Sequence, residues 1–308
     1  MPRILVTGAS GFIGSCMAQQ LAAEGHSVTG LDLRQAGFPI DWHCGEITDR
    51  AFVASVLRET QPEIIFHLAG LIKSPEAESL YKANLIGTVA LFETLMDADM
   101  RPLVMVASSS AVYGRASGRE PIAETAEIQP ITHYAVSKVA QEIAALRYFN
   151  SYEFPVIVLR MFNLLGPGQS PALACSSFAR QIALAEANGG GEISTGNLDA
   201  QRDFIDARDA VRAFILAAQK GSPGQVYNVC SGKATALQFC LDQMISMSTC
   251  RIEAKIDTER IQSNDLPIQI GNAEKIKQAT GWSPQIPLEQ SLADLLNDWR
   301  QKIKMEKQ

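Results

Sequence analysis

A chain of 308 residues, 46% hydrophobic and 19% charged, has the size for one large or two modest domains around a real core. Its formal net charge of -6 argues against nucleic acid as a main partner, and no apolar run approaches the length of a membrane span. Six cysteines (16, 44, 175, 230, 240, 250) and four histidines (26, 43, 67, 133) are scattered without metal-ligand or Cys-x-x-Cys spacing. Neither a zinc site nor a disulfide framework is expected, and the cysteines read as small buried hydrophobes. No basic segment leads into an apolar signal core, so the expectation is a reduced, cytoplasmic protein.

The first fourteen residues organise the chain. Ile4, Leu5 and Val6 form a short apolar run with no room for a helix before the glycines, so they read as a buried strand entering a tight turn. Gly8, Gly11 and Gly14 are spaced three apart, and a helix follows through Cys16, Met17, Ala18 and Leu21. Such a turn lets backbone N–H groups approach a pyrophosphate at the positive end of the helix. Ser27–Leu31 reads as a second strand, and Asp32 follows it, 18 residues after Gly14. An acid at that distance is placed to accept both ribose hydroxyls of NAD, and it would repel a 2′-phosphate. NAD(H) is therefore favoured and NADP(H) remains possible, with Arg34 close by. The alternative is a glycine-rich turn with a solvated aspartate at a strand end.

Strands and helices alternate onward. A short strand near Glu46, a helix over 51–59, a strand within 62–70, a helix over 80–97 and strands at 103–107 and 156–159 around a helix at 135–150 are expected. Continuous apolar strands alternating with helices imply an α/β fold: a doubly wound parallel sheet of Rossmann type, with ligands beyond the carboxyl ends of its strands. Gly8, Asp32, Ala69, Gly70, Ser108–Ser110 and Asn163 fall at such ends. After residue 165 the rhythm changes. A smaller α+β substrate-binding lobe is expected from 166–308, with 203–230 returning to the first domain and 225–229 forming one more strand. Residues 304–308 read as a frayed polar tail.

Tyr134-Ala-Val-Ser-Lys138 places a phenol and an ammonium on one helix face. The lysine would favour phenolate, letting the tyrosine exchange a proton with a substrate hydroxyl near neutral pH. Ser108-Ser-Ser110 supplies hydroxyls at a strand end some 25 residues upstream. Each feature has a plainer reading: surface decoration for the pair, a self-satisfied loop for the serines.

Taken in order, Gly8-x-x-Gly11-x-x-Gly14, Asp32, His67-Leu-Ala-Gly70, Asn84-x-x-Gly-Thr88, Ser108-Ser-Ser-Ala-Val-Tyr-Gly114 and Tyr134-x-x-x-Lys138 resemble the extended short-chain dehydrogenase/reductases that act on nucleotide sugars. The resemblance covers essentially the whole chain. It implies Tyr134 as acid/base, Lys138 as the nicotinamide-ribose ligand that lowers the tyrosine pKa, and Ser109 as their partner, with Ser110 the fallback. It implies a cofactor site at Gly8, Gly11, Phe12, Ile13, Gly14, Asp32, Glu46, Ile47, Leu68, Ala69, Gly70, Asn84 and Ser108, together with Tyr134 and Lys138. A nucleotide-sugar substrate would meet Ser109, Ser110, Asn163, Arg202 and Arg260, the last from the segment before Asp265-Leu-Pro267; no metal is implied. Asn163 could equally cap a loop, and Arg202 could pair with Asp203 or Asp206 at the surface.

Dehydratases of this family carry an Asp-Glu pair where Ser110 and Ala111 stand here, and epimerase-reductases resembling GDP-fucose synthase use a cysteine at Ala111. Simple ketone reduction or 4-epimerisation remains. Gly196-Asn-x-x-x-x-Arg202-Asp-Phe and Gly281-Trp-Ser-Pro284 look most like the reductases of GDP-linked 4-keto-6-deoxy-hexoses. A UDP-hexose 4-epimerase with tightly bound NAD and a non-catalytic NAD(H)-sensing protein are the alternatives. Helices around 80–98 and 134–150 resemble those that pair in this family's dimers, so a homodimer is expected, though Leu85, Val89, Phe92 and Ala144 could instead face the core.

Overall fold

The computed structural model describes residues 1–115, 120–260 and 266–307. The first half runs β1 (Arg3–Thr7), α1 (Phe12–Ala23), β2 (Ser27–Asp32), β3 (Asp41–Cys44), α2 (Arg50–Thr60), β4 (Ile64–His67), α3 (Ala77–Tyr81), α4 (Gly87–Asp97), β5 (Leu103–Ser109), α5 (His133–Tyr152) and β6 (Val156–Met161). It continues with β7 (Asn163–Leu165), α6 (Ala174–Glu186), β8 (Gly191–Thr195), β9 (Gln201–Asp206), α7 (Ala207–Lys220), β10 (Val226–Val229) and β11 (Ala234–Ala236). The chain closes with α8 (Leu237–Ser246), β12 (Ile252–Ile256), β13 (Ile268–Gln269), α9 (Glu274–Thr280) and α10 (Leu288–Glu306).

Seven strands form one parallel sheet in the order β10-β6-β5-β4-β1-β2-β3. Ile4, Leu5 and Val6 are all buried because helices cover both faces, which is why the strand is continuously apolar rather than alternating. On one face Met17 and Leu21 of α1 pack with Phe66 and Phe214; on the other Val53, Leu57, Leu91, Phe92 and Tyr148 fill the space below α2, α4 and α5. The strand order reverses between β1 and β4, opening a crevice beyond their carboxyl ends, the usual ligand position in such folds. The strand at 226–229 joins this sheet as its edge, beside β6.

The second lobe has its own core, with Phe178, Ile182, Leu241, Met244, Leu292, Leu296 and Trp299. Its central strand β9 pairs with β11 antiparallel and with β7 and β13 parallel, while β8 and β12 pair separately. Ile276 and Trp282, from sequence well inside this half of the chain, pack instead in the first core against α7.

Several local expectations change. The single helix over 80–97 is interrupted by a wide π-type turn at Lys82–Ile86, closed by the Gly87 N–H bonding the Lys82 carbonyl, because Asn84 turns inward to bond another loop. The third strand stops at Cys44, leaving Glu46 in the following turn, and β5 extends to include Ser108 and Ser109. The last helix runs on to Glu306, so 304–306 is ordered helix rather than tail. Cys175, Cys230 and Cys240 are buried, but Cys44 is exposed. Among the described residues no helix is long and apolar enough to cross a membrane, and no cluster of His, Cys, Asp and Glu could hold a metal.

Candidate active site

The turn after β1 requires its glycines. Gly8 has φ +73°, and a Cβ there would meet the Ala69 backbone N at 2.7 Å; a Cβ on Gly14 would run into the Gly8 carbonyl. Helix α1 starts after Gly11 with no side chain capping its first turn, leaving those N–H groups and the positive end of the helix for an anion. Phe12 lies within van der Waals reach of Gly166 and Gly168, and Ile13 packs at the margin of the first core. At the end of β2 the Asp32 carboxylate accepts N–H bonds from Ser10 (2.8 Å) and Leu33 (2.7 Å), and each oxygen keeps a lone pair for a further donor. This set of donors and acceptors fits a nicotinamide dinucleotide.

Other predicted cofactor residues shape the walls. Glu46 is exposed and binds Lys82 (2.9 Å) and Thr48 (3.0 Å); the bonds from Lys82 and then Thr48 hold its carboxyl below the ordinary value. Ile47 fills the space left at Gly87. Leu68 and Ala69 continue from β4 with N–H bonds to the Thr7 carbonyl and hydroxyl. The Asn84 amide grips the Leu71 backbone at both N–H (2.8 Å) and C=O (3.0 Å) and also donates to Ser137 (2.8 Å), crowding Gly70 so closely that a Cβ there would lie 2.5 Å from its oxygen. Asn84 thus builds the loop after β4 with its side chain. Ser108 is buried, and its hydroxyl goes to Glu142.

Tyr134 and Lys138 rise from the first turns of α5, whose start is capped by Thr132 accepting from the Ala135 N–H (3.1 Å). Ser109, at the end of β5, lies beside the Tyr134 hydroxyl and accepts from the Ala111 N–H (3.2 Å). Burial raises the Tyr134 pKa, and the Ser109 hydroxyl opposes that rise. The expected lowering by Lys138 does not appear. Although i, i+4 spacing puts the two on one face, the Lys138 ammonium reaches past the phenol to the Ala107 carbonyl (2.9 Å) and Gln141 Oε1 (2.8 Å). Burial pushes Lys138 down to about 8, with Glu142 pulling the other way.

The substrate residues lie on the second lobe's sheet and its surroundings. Asn163, half-buried at the start of β7, donates weakly to the Asp203 carbonyl (3.4 Å). Arg202 on β9 donates to the carbonyls of Gln201 (2.8 Å) and Leu266 (2.7 Å). The Asp203 carboxylate gathers Ser231, Gly232 and Gly271, while Asp206 binds Arg208 and Ser291. Arg260 is exposed and bonds Asp257 (3.2 Å) and the Ser194 carbonyl (3.3 Å). Asp265 and Gln262, beside the expected Asp-x-Pro run, lie outside the described residues. Ser110 is buried and tied to Gln269: its hydroxyl donates to Oε1 (3.2 Å) and its carbonyl accepts from Nε2 (3.0 Å).

Sequence reasoning missed Gln269, 159 residues from Ser110, for which no local signal exists. It also missed the buried ion pair between Glu142 and Arg160 (2.7 Å), although Glu142 stands one further helical turn beyond Lys138. Arg160 continues to the Tyr113 hydroxyl (3.0 Å), which donates to Asn228 (2.6 Å), so the loop after Ser109 is anchored from behind.

A glycine turn under a parallel-sheet crevice, an acid at the second strand end and a Ser–Tyr–Lys set on β5 and α5 define a dinucleotide-dependent enzyme of the short-chain dehydrogenase/reductase type. Residues 4–230 match the NAD dependent epimerase/dehydratase family, and the chain belongs to that family. Over its full length it is similar to the GDP-6-deoxy-D-mannose reductase of Pseudomonas aeruginosa, with 31% identity covering 99% of both chains. It is also similar, at 31% identity over 97% of this chain and 99% of the relative, to the UDP-glucose 4-epimerase of Mycolicibacterium smegmatis. Among solved structures, that of RMD from Pseudomonas aeruginosa complexed with NADPH superimposes with a TM-score of 0.87 at 29% identity, covering 98% of this chain and 100% of that one.

Proposed function

We propose that the protein reduces the C4 ketone of a nucleotide-linked 4-keto-6-deoxy-hexose, converting GDP-4-keto-6-deoxy-D-mannose to GDP-D-rhamnose or GDP-6-deoxy-D-talose. The observation that carries this reading is the loop after β5. It presents one hydroxyl–phenol pair, Ser109 with Tyr134, while Ser110 is bound to Gln269 and Ala111 offers neither acid nor thiol. Such a loop can move one proton, and Ser110 and Ala111 supply no second acid or base for eliminating water or inverting a neighbouring carbon.

The uncapped start of α1 and the Asp32 carboxylate would hold the dinucleotide, which would supply the hydride. Tyr134, kept protonated by burial, gives its proton to the oxygen as the ketone becomes an alcohol, and Ser109 donates a hydrogen bond to the same oxygen. Lys138 would hold the nicotinamide ribose through its remaining donor. Arg202 presents a guanidinium to the diphosphate, a planar donor pair suited to phosphate oxygens, with Arg260 and Asn163 at the nucleotide and sugar. Asp32 would favour NADH over NADPH, since its carboxylate would repel a 2′-phosphate.

Mixing the protein with GDP-4-keto-6-deoxymannose and NADH or NADPH, and following loss of reduced-cofactor absorbance, tests the reading. Stoichiometric consumption supports it; no consumption with either cofactor rejects it. The second reading, a UDP-hexose 4-epimerase retaining NAD, is favoured by the equal identity to the Mycolicibacterium enzyme. It predicts interconversion of UDP-glucose and UDP-galactose without net cofactor use.

The reading includes a homodimer in the cytoplasm. Phe92 is core-facing, stacked on Tyr148, but Leu85, Val89, Ala140 and Ala144 line a groove of about 580 Å³ between α4 and α5 beside Ile143, which is 63% exposed. Light scattering should give twice the chain mass, and Ile143→Glu should halve it.

A further inference from the structure

Lys138 is buried, and among the described residues it is held by two acceptors, one of which is a side chain: Gln141 Oε1 at 2.8 Å. Gln141 is completely buried, and its Nε2 donates to the Thr88 hydroxyl at 2.9 Å. Thr88 gives its own proton to the Asn84 carbonyl (2.7 Å), so it can only accept from its other neighbours. One of these is His67 Nε2 (2.9 Å), which must therefore carry the ring proton. His67 Nδ1 then accepts from the Thr7 hydroxyl (2.8 Å), and Thr7 in turn accepts from the Ala69 N–H (3.2 Å). Every member of this chain is satisfied in one direction only. Reversing the Gln141 amide would set NH₂ against the Lys138 ammonium and a carbonyl against a hydroxyl with no proton to offer.

We propose that Gln141, oriented by Thr88 and the Nε2–H form of His67, is a positioning residue that holds the Lys138 ammonium charged and directs its remaining donor to the nicotinamide ribose. This rests on the reading of Tyr134 and Lys138 as the dinucleotide-binding pair. The groups facing Lys138 are few. His67 on β4 is held neutral, its pKa lowered to about 3 by burial and by Lys138 itself. On α5 stand Tyr134 and Glu142, and Glu142 is already bound to Arg160 of β6. Asn84 and Thr88 are uncharged. Gln141 is thus the side-chain acceptor that can be altered without touching a charge.

The test is the pH dependence of NADH affinity, read by NADH fluorescence with the intact protein from pH 6.5 to 9.5, for wild type, Gln141→Met and Gln141→Glu. Affinity should fall as Lys138 loses its proton. In Gln141→Met that fall should move to lower pH by roughly one to two units, the scale of one lost hydrogen bond to a charge. In Gln141→Glu it should move upward, because a carboxylate stabilises the ammonium. A residue that merely fills space would not produce opposite shifts. Both variants shifting the same way, or neither shifting, would overturn the proposal. Should Gln141→Met fail to fold, Gln141→Leu takes its place with the same expected downward shift, because the loss of the acceptor is what separates a positioning role from space-filling. The readout needs no sugar, so it stands even if the keto sugar is not turned over; a wild type that binds no NADH would overturn both readings.

Discussion

The two halves of the site are held by different means. Around Lys138 the contacts are side chain to side chain, buried and directed, running through Gln141, Thr88, His67 and Thr7. Around Arg202 and Arg260, at half-buried or exposed positions, backbone carbonyls of Gln201, Leu266 and Ser194 accept from the guanidinium groups, and Arg260 also pairs with the Asp257 carboxylate. Reaction chemistry tolerates little displacement, whereas a flexible diphosphate can be met by guanidinium groups held less rigidly, Arg202 on the paired strand β9 and Arg260 on a turn. On the proposed reading, the first region would carry specificity of geometry and the second affinity.

The sharpest break in that comparison is Tyr134→Phe. It should cost roughly 10²- to 10⁴-fold in kcat, the usual worth of a positioned acid, with little change in KM or in the unfolding midpoint. Next comes Glu142→Leu, which strands the buried Arg160 and the Ser108 hydroxyl. Urea unfolding should show a loss of ~3–5 kcal/mol, as for other buried pairs broken from one side.

The third separates stability from catalysis. Folded His67 stays neutral down to about pH 3, whereas in the unfolded chain it takes up a proton near its ordinary value of 6.5. Its contribution is present in full above that value and is lost as pH falls toward 3, at up to ~1.4 kcal/mol per pH unit. Between pH 6.5 and 5, wild type should therefore lose stability faster than His67→Gln in parallel urea titrations. The smallest effects belong to the second region. Arg202→Ala should raise KM for the nucleotide sugar roughly ten- to a hundredfold with kcat kept, as one charged hydrogen-bonding group is removed. Arg260→Ala, exposed and paired with Asp257, should change it less than about fivefold.

These regions also differ in how far their sequences could be read. The glycine turn, Asp32 and the Tyr134–Lys138 spacing obey local rules of strand, turn and helix, and the structure places them at strand ends and on one helix face. The heading of Lys138 was not legible, because i, i+4 spacing fixes a face and not the tip of a long side chain. Gln269 and Leu266 owe their places to a two-residue strand paired with β9, a long-range event without periodicity. Trp282 was invisible as part of the first core for the same reason: its indole N–H bonds the Asp209 carbonyl, 73 positions earlier.

The wide turn at Lys82–Ile86 acts as a phase joint. Its added residue lets Asn84 address the loop after β4 while Thr88, four positions on, sits under His67. Deleting Leu85 or Ile86 would yield a more regular helix, and would rotate everything upstream by about 100° relative to α4. Asn84 would swing off Leu71 while Thr88 stayed in place, uncoupling the two loops that flank the crevice. Such a deletion would be a frameshift in angle, harmless to helix content and ruinous to the alignment of the two walls.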